Sequence, residues 1–205
     1  MKVLIIVAHP RSDSLTMNIT NKFAEGLRAA GHEYEIADLY RENFNPVLLP
    51  QDEPDWNNES KVYSDEELRK AYSDEVTREM ERIQSSDAIV MIFPVWWYSF
   101  PAIMKGYIDR VWNMGFAYGG AKLPVNKIRW IPLVGDTQEH FKKRDYDAMI
   151  EKYMNIGIAQ YIGVNDSEVN FMYNTLGEFE DNQEENLNSH YKKHLDEAYK
   201  LGYTF

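Results

Sequence analysis

The feature that most limits the fold is residues 2–8, KVLIIVA, an unbroken run of aliphatic and β-branched side chains. A strand with one wet face alternates apolar with polar residues. This one does not, so it reads as a strand buried on both faces, as in a parallel sheet covered by helices. Residues 32–38 read as a second strand, 87–93 (DAIVMIF) as a third, 128–134 as a fourth and 168–173 as a short fifth. Helices fall between them. Ile19, Phe23 and Leu27 recur every four residues before Gly31, which is a natural helix stop. Ile103, Met104, Tyr107, Ile108, Val111 and Trp112 share one face after Pro101. Residues 145–155 are expected to be helical, with Met149, Ile150 and Tyr153 inward, and Leu187, Tyr191, Leu195 and Ala198 mark a last helix. Strands and helices alternating in this way predict an α/β three-layer sandwich around a five-stranded parallel sheet. Five strands fit the order 2-1-3-4-5 better than the six-stranded dinucleotide order, and the ligand site then lies at the strand carboxyl ends between strands 1 and 3.

The 205 residues suit one domain, 1–205, with a polar, acidic insert at about 41–82 that is helical from about Asp65. With 22 basic and 33 acidic residues the net charge is −11. Such a chain repels phosphate backbones and anionic membranes, so no nucleic-acid partner is expected. A small anionic cofactor is still allowed at a helix N-terminus, where main-chain N–H groups hold it. There are no cysteines, which excludes disulfides, thiolate metal sites and thiol redox chemistry. Redox chemistry in this chain therefore needs a bound organic cofactor. Residues 88–104 are nearly all apolar but are broken by Pro94 and Pro101 and fall short of the roughly 20 residues a membrane span needs. No integral membrane segment is expected. The first residues lack the features of a secretory signal, so the expected location is cytoplasmic. His190 and His194 stand four apart, but no third ligand is evident and no metal site is expected.

Three loops sit at the predicted carboxyl ends. The first, His9-Pro10-Arg11-Ser12-Asp13-Ser14-Leu15-Thr16, runs into a helix. Its hydroxyls either cap that helix or bind an anion there. The third, Pro94-Val95-Trp96-Trp97-Tyr98-Ser99-Phe100-Pro101, holds four aromatics between two prolines, which suits a flat heteroaromatic ligand better than internal packing. The fourth, Leu133-Val134-Gly135-Asp136-Thr137-Gln138-Glu139-His140-Phe141, offers a glycine for close backbone approach, cap residues, and His140, which reads either as a proton donor or, more commonly for a lone loop histidine, as a solvated side chain. Phe116-Ala117-Tyr118-Gly119-Gly120 reads as a mobile loop or a plain connection, the connection being favoured.

These residues carry a resemblance. Ala8-His9-Pro10 with Ser14, Phe93-Pro94-x-x-Trp97-Tyr98-x-x-Pro101-Ala102-x-x-Lys105-Gly106, Phe116-Ala117-Tyr118, and Gly135 with His140-Phe141 resemble the NAD(P)H:quinone oxidoreductases of the DT-diaphorase type. They are also similar to the flavin reductases that serve potassium-efflux systems as ancillary subunits. The resemblance implies a flavodoxin-like homodimer that passes hydride from NAD(P)H, through a bound flavin, to a quinone or similar flat acceptor. It implies that His9, Ser14, Leu15 and Thr16 hold the flavin's phosphates and ribityl chain. Val95, Trp96, Trp97 and Tyr98 would line the ring, largely by main chain, and Leu133, Val134, Gly135 and Asp136 would meet its pyrimidine side. Tyr118 would roof the neighbour's site, so that active sites are shared. FAD is favoured, with FMN as the alternative. Departures fall on Trp96, where glutamine is common, and on Leu133-Val134-Gly135-Asp136, where Thr-Thr-Gly-Gly is common. Phe141 replaces a tyrosine of the eukaryotic proton relay, which leaves Tyr118 and His140 as the catalytic candidates. The rival readings are a single-electron flavodoxin carrier, a flavin-binding regulatory subunit of a potassium-efflux transporter, and a flavin-free binding protein.

Overall fold

The computed structural model describes residues 1–52, 64, 66, 72–177 and 183–205. Strands β1 (Lys2–Val7), β2 (Glu33–Asp38), β3 (Ala88–Pro94), β4 (Lys127–Leu133) and β5 (Asp166–Val169) form one parallel sheet in the order β2-β1-β3-β4-β5. The order and the parallel pairing match the sequence expectation. Helices α1 (Leu15–Ala29) and α6 (Gln183–Tyr203) cover one face, while α2 (Asp74–Gln84), α3 (Ala102–Val111) and α5 (Tyr146–Glu151) cover the other. The short α4 (Gln138–Lys142) follows β4. Alternation along β1 sends Leu4 and Ile6 into one core and Val3, Ile5 and Val7 into the other, because successive strand side chains point to opposite faces. All five are fully buried. On one face α1 and α6 touch backbone to backbone. A Cβ on Gly26 would lie 2.2 Å from the Tyr199 carbonyl oxygen, and one on Gly202 would lie 2.1 Å from that of Phe23. Among the described residues no helix is long and apolar enough to cross a membrane.

Two expectations need correction. The fifth strand occupies Asp166–Val169 rather than 168–173, with Met172 paired to Leu133 only as an isolated bridge. Pro132 lies where the ladder stops, and it has no N–H to give. The helix expected over 145–155 is α-helical only to Glu151 and then π-wound over Lys152–Gln160. The wider turn shifts the buried face. Ile150, Met154 and Ala159 are inward, while Met149 and Tyr153 are 48% and 37% exposed. In the insert the described helix starts at Asp74, capped by the Ser73 hydroxyl accepting from Val76 N–H. The expected start near Asp65 lies largely outside the described residues.

The insert is fastened to α3 by one cation. Arg110, 1% exposed, donates Nε to Asp52 Oδ2 at 2.7 Å, Nη2 to Ser73 Oγ at 3.2 Å and Nη1 to the Asn45 carbonyl at 2.5 Å. It also pairs with Glu75. Burial alone would raise the Asp52 carboxyl, but the Arg110 guanidinium holds it below its usual range. Removing one partner of a buried pair leaves a charge with nothing to balance it. Arg110→Met should therefore cost about 3–5 kcal/mol of stability, read as a lower urea midpoint. A midpoint within experimental error of the parent would disprove this role.

On the other face, α6 clamps the segment after β5. His190 Nε2 lies 2.9 Å from the Asn174 carbonyl and 3.0 Å from His194 Nε2. His194 also bonds the Tyr173 main chain, and burial followed by the neighbouring His190 pushes its pKa down to about 4. An imidazole with a depressed folded pKa stabilises the fold fully above its ordinary value of 6.5 and loses that contribution as pH falls through 4. Thermal stability should drop across this window, and His194→Gln should flatten the drop. An equal slope in parent and variant would remove His194 as its source.

Candidate active site at the strand carboxyl ends

β1 and β3 are neighbours, yet the helices that follow them leave on opposite faces. Their loops part and open a crevice beyond the strand ends. In the first loop the Ser14 hydroxyl caps α1 by accepting from Met17 N–H at 3.3 Å, and Thr16 is buried behind it. The capping reading is thus borne out. Nevertheless the N–H groups of Leu15 and Thr16 remain in the first helical turn, which has no internal acceptors for them. Arg41, from just beyond β2, ties the loop down, donating to the carbonyls of His9 at 2.5 Å and Pro10 at 3.2 Å. Burial lowers the His9 pKa, and Arg11 and Arg41 add to that.

The third loop is a two-residue turn. Trp96 and Ser99 exchange main-chain hydrogen bonds at 3.1 and 3.0 Å, while Trp97 and Tyr98 take φ of 51° and 58°. Two consecutive non-glycine residues at positive φ are costly, of order 1–3 kcal/mol each, and such strain clusters at ligand sites. Among the described residues the N–H groups of Trp97 and Tyr98 have no hydrogen-bond acceptor. The four aromatics part company here. Phe100 packs into the core against Phe93, with ring centroids 4.8 Å apart, while Trp96, Trp97 and Tyr98 are 41%, 95% and 43% exposed.

The fourth loop is braced from β5. Val134 N–H donates to the Met172 carbonyl at 2.8 Å, and Asn174 N–H donates to the Asp136 carbonyl at 2.7 Å. The Gly135 Cα faces Leu176, whose side chain a Cβ would meet at 3.0 Å. Thr137 caps α4 through His140 N–H. The Asp136 carboxylate accepts from Thr137 N–H at 2.7 Å and also contacts His140 Nδ1. His140 Nε2 contacts Arg144.

Two adjoining cavities result. One, about 540 Å³, is lined by His9, Ser14, Leu15, Thr16, Trp96 and Leu133, with Thr175, Leu176, Tyr191 and Leu195 opposite. The other, about 270 Å³, is lined by Val95, Trp97, Tyr98, Val134, Gly135, Asp136 and Phe141. The two together gather the residues expected to meet a cofactor. Tyr118 stands apart in an apolar groove with Trp112, Tyr153 and Tyr161 that shares no lining residue with either. Its loop is folded tightly rather than open. Gly115 N–H donates to the Tyr118 carbonyl at 2.8 Å, and Phe116 and Ala117 are buried. Arg41, Leu176 and Arg144 were missed by sequence reasoning. Arg144 had a signal, since Asp136, His140 and Arg144 are spaced by four.

The family description "Flavodoxin-like fold" matches residues 1–195. The chain is 44% identical over 178 residues to the uncharacterized NAD(P)H oxidoreductase YcaK of Escherichia coli (strain K12), covering 85% of each chain. It superposes on the NAD(P)H:quinone oxidoreductase from Methanothermobacter marburgensis with TM-score 0.83 and 29% identity, covering 99% of this chain and 94% of that one. An FMN-dependent NADH-azoreductase from Bacillus anthracis, in complex with FMN, shares the fold with TM-score 0.66 at 19% identity, over 98% and 99% of the two chains. From its sheet order, its crevice and these matches, the chain belongs to the flavodoxin-like family that includes NAD(P)H oxidoreductases.

Proposed function

We propose that this chain is a flavin-dependent NAD(P)H oxidoreductase that transfers hydride to a quinone or similar flat acceptor, working in the cytoplasm as a homodimer with shared sites. The observation that carries the reading is the strained Trp96–Ser99 turn, with two unbonded N–H groups beside the Gly135 loop. Strain of this kind persists where it aims main-chain donors at a ligand. The residues present fit a flavin. The α1 N-terminus offers N–H groups and partial positive charge to a phosphate, and Trp97, Tyr98 and Gly135 line the space a heteroaromatic edge would fill, with the Trp97 and Tyr98 N–H groups unbonded among the described residues. The larger cavity lies within the usual range for small-molecule sites, about 300–1,000 Å³.

A bound flavin supplies the hydride chemistry itself. The chain's part is to orient and to exclude water. Ser14, Leu15 and Thr16 anchor one end of the cofactor, and the turn at Trp97 and Tyr98 fixes the other. FAD is the favoured form, with FMN as the alternative, and Arg11 and Arg41 stand at the end of the crevice where its phosphates would lie. The dimer draws support from the apolar groove at Tyr118, whose lining includes Tyr161, 67% exposed. A twofold axis brings such a patch against its own copy, and Tyr118 would then reach the neighbour's site.

Purified protein should be yellow, and heat should release FAD, identified by mass. Colourless protein that takes up no added flavin would end this reading. Tyr118→Ala should keep its flavin while losing quinone turnover by roughly tenfold, the scale of one aromatic contact. Mixing Tyr118→Ala with Trp97→Ala subunits should restore activity, since one hybrid site is then intact. Exchanged hybrids as inactive as either parent, or sedimentation as a monomer, would refute site sharing.

A further inference from the structure

We infer that Arg144, held by Asp136 through His140, is an anion-binding residue that takes a phosphate of the pyridine nucleotide. The inference rests on the reading of the chain as an NAD(P)H oxidoreductase and adds to it the group that recognises the donor.

The argument starts from spacing. Asp136 precedes the Thr137 cap, His140 lies one turn into α4, and Arg144 follows its end. Residues four apart stack along one side of a helix, and here each touches the next. Chemistry then fixes the protons. A guanidinium has donors and no acceptor, so the His140 Nε2 that faces Arg144 carries a lone pair. The ring proton is therefore on Nδ1 and is given to the Asp136 carboxylate. His140 is thus a bridge with both nitrogens engaged. This assigns it a positioning role in place of the proton-donor role expected from sequence.

Arg144 is joined through His140 to Asp136, which lines the smaller cavity with Tyr98 and Phe141. The Tyr98 hydroxyl is raised by its hydrogen bond to Tyr146, and it also feels Arg144 and Asp136. Lys142 and Lys143 precede Arg144, and all three are exposed. Among the described residues no carboxylate forms an ion pair with any of them. Asp136, Glu139, Asp145 and Asp147 lie in the same stretch, so the stretch as a whole is not positive, and it is the donors of Arg144, unclaimed by any carboxylate among the described residues, that are free to take an anion. His140 occupies one guanidinium nitrogen and holds the planar fork in place. The remaining N–H groups suit two oxygens of one phosphate.

The test is steady-state kinetics with one quinone and three donors: NADPH, NADH and reduced nicotinamide riboside, which has no phosphate. Arg144→Ala should raise the nucleotide KM relative to the riboside KM by about tenfold, the loss of one charge-assisted contact. A rise confined to NADPH places the 2′-phosphate at Arg144, and a rise for both nucleotides places the pyrophosphate there. Arg144→Lys should recover part of the ratio. His140→Ala should shift the ratio in the parent but not in Arg144→Ala, because it acts through Arg144. An unchanged ratio in Arg144→Ala, or a riboside KM that rises as much as the others, overturns the inference while leaving the oxidoreductase reading standing. A parent protein that oxidises none of the three donors would instead refute the proposed function itself.

Discussion

Everything at the site depends on the parallel ladder between β1 and β3. Five rungs, from Val3↔Ala88 to Val7↔Ile92, join two strands whose side chains are buried on both faces. In so apolar an interior each main-chain N–H and C=O must find a partner, and the parallel neighbour supplies it. Parallel pairing also sends both carboxyl ends the same way. The chain must then leave β1 over one face and β3 over the other, and the gap between the two exits is the crevice. Ala8 N–H still bonds the Ile92 carbonyl at 3.2 Å, so the separation begins only at His9 and Phe93.

The loops that frame the gap are held by contacts from elsewhere in the chain. Arg41 reaches back from β2 to the first loop. The segment after β5 braces the fourth loop and is itself gripped by His190. The third loop leads into α3, and α3 is fastened to the insert by Arg110 and by close passage of Pro46 over Gly106, where a Cβ would lie 2.2 Å from the Pro46 carbonyl oxygen. The insert thus steadies the element that begins just after the strained turn. Such outside bracing lets Trp97 and Tyr98 keep a conformation they would not adopt in a free peptide.

The exposed aromatics follow the same logic. Three large rings exposed together at the end of a buried strand form an apolar patch of the kind that marks an interaction surface. Phe100, one turn away, shows the contrast. It follows the turn and falls back onto Phe93 and Trp130.

The sequence by itself determined the layered α/β class, the strand order and the residues that gather at the crevice. Those features rest on local signals, namely buried apolar runs, helical spacing and loops of fixed polarity. It did not determine the π-wound stretch after Glu151, the early end of β5 or the positive φ of Trp97 and Tyr98. Each of these reflects contacts from distant segments overriding local preference. Only the tertiary structure placed Arg110 against Asp52, 58 residues away, and Arg41 against His9. No pattern of neighbours announces such pairs, because burial makes them strong and burial is a property of the assembled chain. The Asp136, His140 and Arg144 row was legible in its spacing, but the contacts along it appeared only in the folded chain.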